Sequence, residues 1–137
     1  MHVGQLLITR YDAPYAPGET DVVVHPTWEA IEAAIVRMER CLFPIVWLYP
    51  DPVAAESDLP HFEVVGGEGA YAVVFRAGKK ELWLQNPQGG TELVDVWVSD
   101  QGASIPASMV CTSLGEVLRA ARYFFEQGEA MPDSVWA

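Results

Sequence analysis

Between His61 and Val98 the chain runs in short alternating stretches, each closed by a glycine-rich turn. His61 to Val65 places Phe62 and Val64 on one face, and Gly66-Gly67-Glu68-Gly69 then reverses the chain. Tyr71, Val73 and Phe75 share a face of the next stretch, which ends at Ala77-Gly78-Lys79-Lys80. Glu81 to Gln85 sets Leu82 and Leu84 opposite Trp83, and Asn86-Pro87-Gln88-Gly89-Gly90 leads into Leu93 to Val98. There Val94, Val96 and Val98 oppose Leu93, Asp95 and Trp97. A period of two marks strands, and turns this short join only antiparallel neighbours. This meander restricts the fold more than any other feature of the chain.

The flanks supply the remaining elements. Val3 to Thr9 is apolar enough for a strand, and Asp12 to Gly18 breaks it with turn formers. Asp21 to His25 reads as a short strand or an extended approach to a helix. Thr27 is placed as an N-cap, and Trp28, Ile31, Ile35, Met38 and Leu42 recur at helical spacing, which predicts a helix from about Trp28 to Arg40 that stops before Pro44. The run Ile45-Val46-Trp47-Leu48-Tyr49 reads as a central strand covered on both faces. Residues 51–60 read as an acidic loop, and Ser99 to Ala107 as a further loop. Ser113-Leu114-Gly115-Glu116 fits a capping box. Leu114, Val117, Leu118, Ala121, Phe124 and Phe125 form the apolar face of the helix that follows, with Gly128 as its left-handed stop. The expected fold is α+β: a single antiparallel sheet of five or six strands with two helices packed on one face, built as one domain over residues 1–137.

Charge narrows the function. The 137 residues carry 8 Lys+Arg against 19 Asp+Glu, a net charge of −11. Phosphate contacts need clustered Lys and Arg, so nucleic acid is a poor partner, and docking on anionic membranes is disfavoured as well. Half the residues are apolar, which argues against disorder despite the charge. No apolar run is long enough for a membrane helix, and the first ten residues lack the pattern of a signal peptide. Cys41 and Cys111 are too few and too far apart for a disulfide scaffold or a metal motif, and read as reduced thiols of a cytoplasmic protein.

Motifs for chemistry are missing. His2, His25 and His61 stand in no metal-binding arrangement, and neither a nucleophile elbow nor a Walker loop occurs. The expectation is therefore a protein that is not an enzyme and needs no cofactor and no metal. The aromatics are more informative. Trp83 and Trp97 lie opposite the aliphatic residues of their own strands, alongside Asp95 and Glu63. They fit either a partner-binding surface or a second, smaller core.

The C-terminal third carries a resemblance. The Ser113-capped helix is followed by Gly128, Pro132, Val135 and Trp136 in the pattern G-x-x-x-P-x-x-V-W. Together with the early helix and the glycine-rich turn before Tyr71, this is similar to the Imm1 family of bacterial immunity proteins. The resemblance implies a single immunity-protein-like domain that binds and neutralises a cognate toxin domain of a polymorphic toxin system, often a nucleic-acid deaminase. An acidic, aromatic-bearing surface suits a basic cleft. The expected partner-binding residues are Glu68, Trp83, Asp95, Trp97 and Asp100, with Trp136 and the Gly128–Pro132 turn in a structural role. The competing expectation is a small-ligand-binding module or enzyme with a cleft beside the 51–60 loop.

Overall fold

In the computed structural model, the described residues are 3–13, 16–50, 60–97 and 103–137. Ten strands and two α-helices follow one another along them. The strands are β1 (Gln5–Thr9), β2 (Tyr11–Ala13), β3 (Ala16–Pro17), β4 (Asp21–Val24), β5 (Ile45–Tyr49), β6 (His61–Gly67), β7 (Ala70–Ala77), β8 (Lys80–Trp83), β9 (Leu93–Trp97) and β10 (Ala103–Pro106). The helices are α1 (Trp28–Val36) and α2 (Leu114–Gln127). Six strands form one antiparallel sheet in the order β4-β1-β5-β6-β7-β8, so the α+β class with a six-stranded sheet is as expected.

Alternation sorts the sheet into two faces. Leu6, Val46, Leu48, Phe62, Val64 and Val73 point to one side, all nearly or fully buried. Both helices pack there. Ile31 and Ile35 of α1 and Val117, Ala121 and Phe124 of α2 join these side chains in one core. Phe124 stacks on Phe62 at 5.3 Å between ring centres and meets Phe75 edge-on at 6.1 Å. Caps hold both helix starts: the Thr27 hydroxyl accepts from the Ala30 N–H and that of Ser113 from the Glu116 N–H, each at 3.2 Å. Gly128 ends α2 in the left-handed conformation, at φ 72°.

Three segments depart from the sequence expectation. Helix α1 ends at Val36, short of Arg40, because Met38 and Glu39 turn to pack against the glycine-rich hairpin of β6 and β7. Gly67 adopts φ 148°, and a Cβ there would lie 2.7 Å from the Glu39 nitrogen and the Met38 carbonyl. The second departure is β9. It does not extend the meander beside β8, but pairs with β10, inside the stretch read as a loop, to make a separate two-stranded ribbon. Val94 and Val96 of this ribbon, with Ile105, face the second side of the sheet and pack on Val65 and Ala72. The third departure is β5. It is central in the sheet, yet Trp47 and Tyr49 on the second face are only half-buried.

Trp136 folds the tail onto the sheet, the structural role expected of it. Trp136 bridges to Leu84, and the Trp83 and Ala137 backbones exchange hydrogen bonds in both directions at 2.8 and 3.0 Å. The Trp136 indole donates to the Met131 carbonyl at 2.9 Å. The outer edge of β8 is thereby covered, and the backbone of Trp83 is locked from both sides.

Candidate functional site

Antiparallel register assembles the site. On the second face of the sheet, Trp47 pairs with Glu63, Glu63 with Val74, and Val74 with Trp83. Four residues distant in sequence thus form one row across four strands, with the tryptophans at its ends. The neighbouring row carries Tyr49 and His61, whose rings approach to 5.4 Å, together with the pair Arg76 and Glu81. On the other side the floor is apolar, formed by Ile45, Val65 and Ala72, and the β9–β10 ribbon lies over it. A cleft of about 390 Å³ remains between sheet and ribbon, with Trp47, Glu63 and Trp83 in its wall and Val96 and Ile105 opposite. The volume falls at the low end for small-ligand pockets, roughly 300–1,000 Å³.

Glu63 is the one buried charged residue among those described, 8% exposed. Its counter-charge is shared. Arg76 approaches Glu63 at 3.5 Å and Glu81 at 3.0 Å, so one guanidinium serves two carboxylates. The second oxygen of Glu81 accepts the Trp83 indole N–H at 2.8 Å, which fixes that ring against the cleft. Burial pushes the Glu63 carboxyl above its ordinary value; Arg76 pulls it down and Glu81 adds to the rise. Burial, then the Glu63 charge, raises Tyr49 in turn. The exposed Glu81 moves the opposite way, held down by its hydrogen bonds from Trp83 and Arg76.

These shifts fix a pH dependence. The folded chain holds a proton on Glu63 more tightly than the unfolded chain does. Glu63 therefore favours folding below the ordinary glutamate value of 4.5, and that contribution is lost as pH rises through the higher folded value. Tyr49, His61, Arg76 and Glu81 are the titratable groups around it among the described residues. Glu63→Gln cannot ionise, so its stability relative to the wild type should improve between about pH 4 and about pH 7. Urea unfolding of both proteins at the two pH values checks this, and a difference that does not change with pH contradicts it.

The residues expected from sequence separate into two places. Trp83 lies in the cleft wall, half-buried, and packs against the small core beneath the ribbon. That contact fits the reading of the aromatic face as a second, smaller core. Asp95 is exposed on the outer side of the ribbon, where its carboxylate accepts the Ser104 hydroxyl. Glu68 is exposed in the β6–β7 turn at φ 56°. Arg40 links these two, donating to the Asp95 carbonyl at 3.1 Å and standing 4.0 Å from the Glu68 carboxylate. Glu68 and Asp95 therefore gather at one end of the ribbon, apart from Trp83. Trp97 pairs through its backbone with Ala103, while Asp100 and residues 51–59 of the acidic loop lie outside the described residues.

Trp47, Arg76 and Glu81 were not expected at the site, although the alternating pairs Trp47/Tyr49, His61/Glu63 and Glu81/Trp83 carry the signal once the hairpins are in register. No group of three or more His, Cys, Asp or Glu able to hold a metal occurs among the described residues. Neither Cys41 nor Cys111 forms a disulfide. Burial pushes the Cys111 thiol up and the Glu116 carboxylate adds to the rise, which keeps it protonated rather than nucleophilic. No described helix is long and apolar enough to cross a membrane. No family model matches the chain, and no curated protein matches it either.

Proposed function

We propose that the protein is an immunity protein, which binds a basic, nucleic-acid-acting toxin domain in the cytoplasm of the producing cell and neutralises it by steric and electrostatic blocking. The observation that carries this reading is the charge around the ribbon. Among the described residues there, Glu63, Glu68, Glu81, Glu92 and Asp95 stand against Arg40 and Arg76, whose guanidiniums are already engaged, and against Lys79 and Lys80 beside Glu81. Elsewhere Arg10 pairs with Asp21 and Arg122 with Glu126, so local pairing absorbs much of the scarce positive charge. A surplus of carboxylates beside aromatic side chains attracts a cationic surface and offers it anchors. The likeness to the Imm1 family in the C-terminal motif points the same way. The cleft itself favours a second reading, a module for a small ligand.

The proposal expects a toxin domain encoded beside this chain, and the test uses that domain. Its association with the wild type should be fast at low salt and slow as salt rises. Reversing both exposed carboxylates, Glu68→Lys with Asp95→Lys, should slow association about tenfold at low salt and much less at high salt. Stopped-flow measurement at two ionic strengths reads both. An unchanged rate and salt dependence would reject the steering role, and absence of a complex would reject the inhibitor reading.

A further inference from the structure

The cleft combines three features that recognise one chemical group. Its wall holds two indoles, from Trp47 and Trp83, on strands roughly 14 Å apart across the sheet. Between them in the same row sits Glu63, a carboxylate buried to 8% exposure. The rest of the lining is aliphatic: Ile45, Val65, Ala72, Val96 and Ile105. A flat cation satisfies all three, because a guanidinium stacks on aromatic faces, pairs with a carboxylate through two parallel hydrogen bonds, and trails an apolar stem. Charge leaves room for it. Arg76 is divided between Glu63 and Glu81 and does not line the cleft, so two carboxylates hold one positive charge. A neutral apolar ligand would leave that imbalance in place.

We infer that the cleft receives an arginine side chain from the protein partner, with its guanidinium on Glu63 and its plane against the Trp47 indole one strand away. The identity of that partner rests on the inhibitor reading above; the chemistry of the cleft does not. Glu68 and Asp95 outside the ribbon then steer the basic surface, and the cleft holds one residue of it.

The experiment titrates the full-length protein with blocked arginine (N-acetyl-arginine methylamide), blocked lysine and blocked citrulline, read by tryptophan fluorescence. Citrulline has the shape of arginine without its charge. Arginine should give a saturable change and bind at least about tenfold more tightly than citrulline, with lysine weaker than arginine. Glu63→Gln should erase the preference for arginine over citrulline, and a matched far-ultraviolet spectrum confirms that this variant folds. The three-ligand comparison on the wild type stands even if it does not. Equal binding of arginine and citrulline overturns the proposal, as does the lack of a saturable response to arginine. Lysine binding as tightly as arginine overturns the choice of guanidinium. Because no toxin is present, failure here leaves the inhibitor reading standing. Conversely, arginine binding without toxin binding would remove that reading and keep the cleft.

Discussion

Replacing Phe124 with alanine should cost about 3–5 kcal/mol, a large share of the roughly 5–15 kcal/mol available to a domain. The ring is fully buried, and it is the side chain of α2 that stacks on Phe62 and meets Phe75 edge-on. Phe62 and Phe75 are directly paired across β6 and β7, so one ring of the helix covers a cross-strand aromatic pair at the centre of the sheet. Truncation leaves a cavity that backbone on both sides keeps from closing. Urea unfolding should show a lower midpoint with an unchanged slope. A loss below about 1 kcal/mol would mean that α2 is not docked through this ring. Because the cleft lies on the other face of the sheet, the variant that remains folded should still bind arginine.

The second large effect is expected at Gly67. Gly67→Ala should destabilise the protein by about 3 kcal/mol or more, for two separate reasons. A side chain at φ 148° is strained, and its Cβ would fall 2.7 Å from the Glu39 nitrogen and the Met38 carbonyl, which are backbone atoms that cannot swing aside. The same contact positions the segment after α1 that carries Arg40, and Arg40 reaches both Glu68 and the Asp95 carbonyl. The variant should therefore lose stability and, on the inhibitor reading, also slow its association with the toxin domain. Calorimetry checks the first and stopped-flow association the second; a wild-type melting temperature would show that the hairpin does not rest on this segment.

Much of the fold was legible in local pattern. Thr27, Ser113 and Gly128 sit where their capping chemistry requires, and the alternation of Phe62/Val64 and Tyr71/Val73/Phe75 named the core face correctly. What local pattern cannot specify is which strand a strand pairs with. Leu93 to Val98 alternates as a fourth strand of the meander would, yet β9 leaves the sheet and lays its valines on the opposite face. The helix end escaped for a similar reason. The periodic stripe continues through Met38, but tertiary packing on Gly67 draws the chain out of the helix. The cleft was least legible of all. Trp47 lay inside an apolar run that reads as doubly buried, and only the register of three hairpins places it in line with Glu63 and Trp83.

A molecule that acts by occupying another should do so one for one. Titrating the purified protein into a fixed amount of the active toxin domain and following the toxin's activity tests this most directly. Activity should fall linearly to zero at about one equivalent, with toxin and substrate recovered chemically unchanged. Undiminished activity at several equivalents, or complete inactivation by a small fraction of one, would contradict the account.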